Sequence, residues 1–250
     1  MAGVHGPCEV DPHDARGGIR VAAAVLRAHW CHSDNYIAGN LTDGLVYGKN
    51  PRLSDTTVVF ADAEFGHDHK TGQAIYGGVI LCKGGLIDYK SASQKCVTLS
   101  STEAETVAAS KIGQRNQKCR AYQVDQGRPP IGPSPFFEDN KGTVDYTRGA
   151  APTRNMRHIR QRDAYIRELQ RDGDIDMRHC PGTEQVADIF TKALPFATVV
   201  KHKEAMGMCT LEDFRRACAA SSGGSTSSSA YASYVNDRFL GAFFNFADAG

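Results

Sequence analysis

LSSTEAETVAAS, residues 99–110, decides how this chain is read. Ser100 can cap a helix, and Glu103, three residues on, can reach back to the free N–H groups of the first turn, as in a capping box. Two residues later Glu105 points to the opposite side of that helix and is left for another task. Three further acids belong with it: Asp62 in VVFADAEFG, Asp139 in PFFEDNKG and Asp188 in TEQVADIFTKAL. Asp62 and Asp139 each follow an apolar run, TTVVFA and PFF, that reads as a strand. Open α/β sheets carry their sites at such strand ends.

Taken singly, each of these acids reads as an ordinary solvated carboxylate. Gathered at one point they could not stand alone. At about 5 Å and an effective dielectric of about 20, each pair costs roughly 3 kcal/mol. Six pairs then exceed the roughly 5–15 kcal/mol that stabilises a whole domain. Such a cluster needs protons or cations, and an all-oxygen set suits Mg²⁺ or Mn²⁺. Two such ions about 4 Å apart are a known device for cutting phosphodiesters.

Several ordered motifs surround these acids: Tyr89-Lys90-Ser91, Gln94, Val97, the run Leu99–Glu105, Glu138-Asp139-Asn140, and Glu184 to Pro195 (EQVADIFTKALP). In order and spacing, from about residue 45 to 208, they resemble the ribonuclease H domain of copia-type LTR retrotransposon (retrovirus-related) Pol polyproteins. The resemblance implies an α/β, ribonuclease H-like fold. Its five-stranded mixed sheet would have three antiparallel strands, then parallel ones, with helices on both faces. It also implies Asp62, Glu105, Asp139 and Asp188 as catalytic, metal-binding acids, with Glu103 left to the helix cap. Two Mg²⁺ ions, or Mn²⁺ in their place, would be bridged by Asp62, with Glu105 and Asp139 on one and Asp188 on the other. The activity implied is endonucleolytic hydrolysis of the RNA strand of an RNA–DNA hybrid. The 2′-hydroxyls read across the shallow minor groove would tell RNA from DNA. Two stretches depart from the family pattern: Glu64-Phe65 replaces the aspartate-tryptophan usual after the first acid, and Arg160 replaces an aspartate. Neither touches the four acids.

The chain has 250 residues, 41% of them hydrophobic, and a net charge of +1, so only local charge can point to a partner. No apolar run reaches the 18 residues of a membrane span, and no charged-then-apolar leader opens the sequence. The expectation is an intracellular protein, cytoplasmic or nuclear, neither secreted nor membrane-bound. Eight scattered cysteines without a CxxC pair read as reduced thiols. Three parts are expected. Residues 1–55, with an amphipathic helix over 11–28 and a short strand near Gly44–Gly48, resemble the end of a reverse transcriptase connection. Residues 56–208 form the ribonuclease H-like domain, and 209–250 a helix, a Ser/Gly linker and an aromatic tail. A reverse transcriptase domain would then be a partner within a parent polyprotein, of which this sequence resembles a fragment or a separated gene remnant.

The patterning predicts strands at TTVVFAD, AIYGGVILC and LIDY, and a helix from Ser101 to about Asp125. It further predicts a strand around Phe136, a short helix at Asn140–Thr147, a helix over Asn155–Gln170, and a strand in DIDMRH. A helix bearing Asp188 and another from Pro195 to Met208 follow. Lys111, Arg115 and Lys118 share one face of the long helix. Between Tyr146 and Arg162 stand Arg148, Arg154, Arg157, Arg160 and Arg162 without one acid. Guanidinium forks match phosphates, so Lys111, Arg115, Arg148, Arg154, Arg157 and Arg160 are the expected nucleic-acid contacts, a solvated basic face being the alternative. Three further functional readings remain open. One is a non-catalytic nucleic-acid-binding remnant. Another is an integrase-like polynucleotidyl transferase, disfavoured by the place of Glu105 on the first long helix. The third is an interaction module built from the N-terminal helix and the aromatic tail.

Overall fold

A computed structural model describes residues 43–45, 47, 55–66, 73–150 and 165–220. The helix expected over 11–28, most of that over 155–170, Arg154, Arg157, Arg160, Arg162 and the tail from 221 lie outside the described residues.

Alternating and apolar runs fold where their periods predict. Strands β1 (Asp43–Leu45), β2 (Val58–Glu64), β3 (Gln73–Cys82), β4 (Gly85–Val97), β5 (Ser134–Glu138), β6 (Ile175–His179) and β7 (Met208–Thr210) are accompanied, among the described residues, by five α-helices. These are α1 (Ser101–Asp125), α2 (Lys141–Thr147), α3 (Tyr165–Arg171), α4 (Phe196–Ala205) and α5 (Leu211–Ala220). The main sheet runs β4-β3-β2-β5-β6. Its β2–β3 and β3–β4 pairs are antiparallel, and its β2–β5 and β5–β6 pairs parallel. This is the ribonuclease H-like arrangement that the sequence implies. The β3–β4 hairpin closes on Lys83 and Gly84, both at positive φ (51° and 77°), the backbone that a tight hairpin turn requires. Strand β4 is far longer than LIDY, because Ser91 and Gln94 hold its polar second half in place. They hydrogen-bond the carbonyls of Phe190 (2.7 Å) and Ala104 (2.8 Å).

Each face of the sheet carries its own core. Val59, Ala61, Ile80, Phe136 and Met177 pack with Ile112 of α1, Val144 of α2, and Ile166 and Leu169 of α3. On the other face Phe60, Val79, Leu81 and Phe137 meet Val186, Ile189, Phe190 and Met206. Phe60 stacks on Phe137 with ring centroids 4.9 Å apart. Two adjacent glycines of β3 let both layers close on the sheet. A Cβ at Gly77 would lie 2.8 Å from Phe190 Cβ, and one at Gly78 would lie 2.4 Å from Ile112 Cγ1 and 2.9 Å from the Phe60 carbonyl oxygen.

Two expectations are corrected. Asp188 lies not on an α-helix but on a short 3₁₀ helix, Val186–Phe190, preceded by another at Gly182–Glu184. Between them Gln185 adopts an extended backbone (ψ 97°), and its buried side-chain amide donates to the Ala61 carbonyl at 2.8 Å. Continuing an α-helix there would forfeit that bond. The helix after Pro195 ends at Ala205 rather than Met208, because Met208 pairs with Leu45 in the small β1–β7 sheet. Tyr47 fastens this region to the main sheet through the Leu86 carbonyl (2.7 Å), and Leu86 N–H donates to the Met206 carbonyl (2.9 Å).

Gly78→Ala is expected to cost about 1–3 kcal/mol through forced overpacking, and Gly77→Ala a similar amount. Thermal melts should show both variants well below wild type. An unchanged midpoint for either would mean that the layers can part without cost.

Candidate metal centre

Glu105 reaches the site because the cap below it is already satisfied. Ser100 Oγ accepts from Glu103 N–H (3.2 Å), and the Glu103 carboxylate accepts from Leu99 N–H (2.7 Å), one residue ahead of the cap. The first turn of α1 then locks onto the start of α2. Thr143 Oγ1 donates to the Thr102 carbonyl (3.2 Å), while the Asn140 side chain caps α2 through Thr143 N–H (3.2 Å). This lock sets Glu105 beside Asp139. Asp62 comes from the central strand β2, opposite Gly77 in the ladder, and is wholly buried.

One oxygen each from Asp62, Glu105 and Asp139 lie within 4.8 Å of one another. Asp188 is not in this group. It is tied to Asp62 through Lys192, whose Nζ lies 3.0 Å from Asp62 Oδ1 and 2.8 Å from Asp188 Oδ1. Thr191 Oγ1 donates to the other oxygen of Asp62. The sequence-predicted quartet is thus three acids converging and a fourth joined through an ammonium.

A fifth acid escaped the sequence analysis as a site residue. Glu138, the last residue of β5, is 0% exposed, and its Oε1 accepts from Asn140 N–H at 3.2 Å. The signal was present: a carboxylate closing a continuous apolar run, one residue before an expected ligand. Lys192, Thr191 and Gln185 were equally visible in the EQVADIFTKALP motif, but only the folded chain shows what they touch.

The electrostatics follow from burial. Glu105 is held well above the usual carboxylate range by desolvation and then by Asp62 and Asp139, with Lys192 and the Ala63 N–H pulling the other way. Glu138 is raised for the same first reason, and next by Glu105, Asp139 and Asp62. Asp139 is raised by burial and by Asp62. Asp188 is pushed up to about 7 by burial and Asp62, which outweigh its Lys192 partner. Two buried carboxylate oxygens, Glu105 Oε2 and Glu138 Oε2, have no hydrogen-bond donor among the described residues. An all-oxygen donor set, an orphaned oxygen and mutual repulsion together fit a hard divalent cation. Asp62, Glu105 and Asp139 are the residues that would hold such an ion.

The basic residues are distributed less simply. Lys111 and Arg148 are exposed, and Arg148 Nε donates to the Met177 carbonyl at 2.9 Å. Arg115 is half-buried and committed to Asp88 of β4, with Nε 2.8 Å from Asp88 Oδ2. It is therefore not the free member of a cationic rail that its spacing suggested. Near the acids, His179 Nε2 lies 3.1 Å from the Asp139 carbonyl.

The sheet order and the buried acids define a ribonuclease H-like α/β domain with a carboxylate centre. Its homologues are retrovirus-related Pol polyproteins of transposons, consistent with the copia-type resemblance. No family model matches the chain. It is 28% identical over 176 residues to the Pol polyprotein from transposon TNT 1-94 of Nicotiana tabacum, covering 69% of this chain and 13% of that relative. To the Pol polyprotein from transposon RE1 of Arabidopsis thaliana it is 26% identical over 163 residues, covering 64% and 11%. The chain thus spans only a small part of these relatives. Similar solved structures include LC11-RNase H1 isolated from compost (18% identity, 54% of this chain, 92% of that one, TM-score 0.44). Another is RNase H1 from the archaeon Halobacterium salinarum (17%, 53% and 90%, TM-score 0.38). No described helix is long and apolar enough to cross a membrane.

Glu138 keeps its proton in the folded state at pH values where the unfolded chain has released it, so its contribution to stability declines as pH rises above its ordinary value of 4.5. Glu138→Gln removes that dependence. In chelator-treated protein the variant is expected to gain on wild type as pH goes from 5 to 8. The gain should appear as a Tm difference between variant and wild type that widens from pH 5 to pH 8. A Tm difference that is flat or shrinks with pH would show that this carboxyl is not the proton-holding group.

Proposed function

We propose that this domain is a divalent-metal-dependent endonuclease that hydrolyses the RNA strand of RNA–DNA hybrids. The observation that carries this is the convergence of Asp62, Glu105 and Asp139 to within 4.8 Å, with an oxygen of Glu105 buried and unpartnered. The substrate class is the one implied by the resemblance to copia-type ribonuclease H domains, a resemblance that the transposon Pol polyprotein relatives support.

Asp62, Glu105 and Asp139 would hold Mg²⁺ or Mn²⁺. When bound, the ion supplies Lewis-acid polarisation at the scissile phosphate. Water attacks the phosphorus in line, the bond to the 3′ oxygen breaks, and that oxygen takes up a proton, leaving a 5′-phosphate and a 3′-hydroxyl. Asp62 anchors the centre because its strand is the middle of the sheet and both its oxygens are held, by Lys192 and Thr191. The second ion implied by the resemblance would need the place between Asp62 and Asp188. Lys111 and Arg148, with Arg154, Arg157 and Arg160, are proposed to follow the backbone phosphates without reading bases. Arg115, paired to Asp88, would take a smaller part. A reverse transcriptase domain in a parent polyprotein remains the proposed source of the hybrid, and an intracellular location, cytoplasmic or nuclear, goes with it.

Cleavage of a labelled hybrid is expected with Mg²⁺ or Mn²⁺ and none with a chelator. Asp139→Asn and Glu105→Gln should each lower the rate by at least about 100-fold, since even outer partners of a metal site are worth 10–100-fold. Both variants should still bind hybrid in a mobility-shift assay. Binding by wild type without cutting would support the non-catalytic remnant instead. Reversing the charge at Arg148 (Arg148→Glu) should weaken binding and lessen its dependence on salt.

A further inference from the structure

The centre has two unlike halves. Asp62, Glu105 and Asp139 face one another with an orphaned oxygen on Glu105, whereas the Asp62–Asp188 pair already has a cation between its carboxylates. That cation is Lys192, and the local chain fixes its position. Its own N–H donates to the Asp188 carbonyl at 2.8 Å, so the side chain starts on the same turn as Asp188, four residues on. Gln185 and Gly77 seat this turn against the sheet: the Gln185 amide bonds the Ala61 carbonyl, and Gly77 leaves no room for a Cβ beneath Phe190 and Thr191. From there the four-carbon stem brings Nζ to 3.0 Å from Asp62 and 2.8 Å from Asp188. One ammonium thus bridges the two acids that the family resemblance would give to a second metal ion.

We propose that Lys192 is a resident cation filling the second ion's place between Asp62 and Asp188, so that the protein free of nucleic acid takes a single divalent ion, at Asp62, Glu105 and Asp139. This inference rests on the metal-dependent reading above and deepens it. A divalent ion arriving at the Asp62–Asp188 position would meet a positive charge about 3 Å from the same oxygens, and like charges at that range repel strongly at any plausible protein dielectric. Removing the amine removes the competitor and leaves two carboxylates that again require a cation.

Titration of the chelator-treated full chain with Mn²⁺, followed by calorimetry and by the free-Mn²⁺ electron paramagnetic resonance signal, tests this without reference to activity. Wild type is expected to bind one Mn²⁺ per chain. Lys192→Met is expected to bind two, the second at least tenfold tighter than any second binding to wild type, and Lys192→Arg to remain at one. Two equal sites in wild type, or one site in a folded Lys192→Met protein, overturn the proposal. Lys192→Gln provides the same comparison should the methionine variant not fold, and the wild-type count stands whatever the variants do. Glu105→Gln, expected to weaken the first ion at least tenfold, tests the parent reading separately. Wild type binding no Mn²⁺ overturns both, whereas one strong site lost in Glu105→Gln with Lys192→Met unchanged overturns only the role of Lys192.

Discussion

Repulsion among buried carboxylates is the constraint around which this molecule is arranged. Three oxygens within 4.8 Å, at an effective dielectric of about 20, cost roughly 3 kcal/mol for each ionised pair. The sum is comparable with the whole stability of a domain. The fold answers in three ways at once. Burial, and then the neighbouring carboxylates, hold Glu105 and Glu138 well above the usual carboxylate range, which favours their protonated forms. An ammonium is supplied to Asp62 and Asp188. Hydrogen-bond donors from Thr191 and Asn140 take oxygens that would otherwise be bare. The unpartnered oxygens that remain are what makes the centre receptive to a metal ion.

Holding such a cluster needs rigid support from elements far apart in sequence. Strand β2 presents Asp62, strand β5 leads to Asp139 beside it, α1 brings Glu105 over one face, and the 3₁₀ turn brings Asp188 under the other. The adjacent glycines of β3 make the two-sided approach feasible, since a methyl group on either would push one layer away. Gly77 pairs with Asp62 in the ladder and carries the Asp188 turn on its other side, so sheet geometry and site geometry are set at one place. Destabilising interactions at the centre are offset by the two apolar cores that clamp it.

Much of this was legible residue by residue. The capping pair Ser100 and Glu103 fixed the start of α1, and with it the direction of Glu105. Apolar runs ending in Asp62 and in Glu138-Asp139 gave the central strands their places. Less legible were the features that depend on contact between distant segments. A single buried amide, Gln185, holds its turn away from α-helical geometry through a carbonyl on β2. Arg115 has the spacing of a surface rail, yet the strand opposite supplies Asp88 and takes it up. Met208 lies in a run that continues a helical pattern, and a strand from the far N-terminal side claims it instead.

By itself the sequence determined the local elements, their order, and the four acids that the resemblance singles out, because periodicity, caps and turn residues act over a few neighbours. Only the tertiary structure decided which charges share one space: that Glu138 joins the acids in a buried cluster, that Asp188 reaches Asp62 through Lys192, and that Arg115 is neutralised. The reason is physical. Coulomb energy and desolvation depend on distance and on what has been excluded around a group, and neither quantity exists until segments more than a hundred residues apart have packed together.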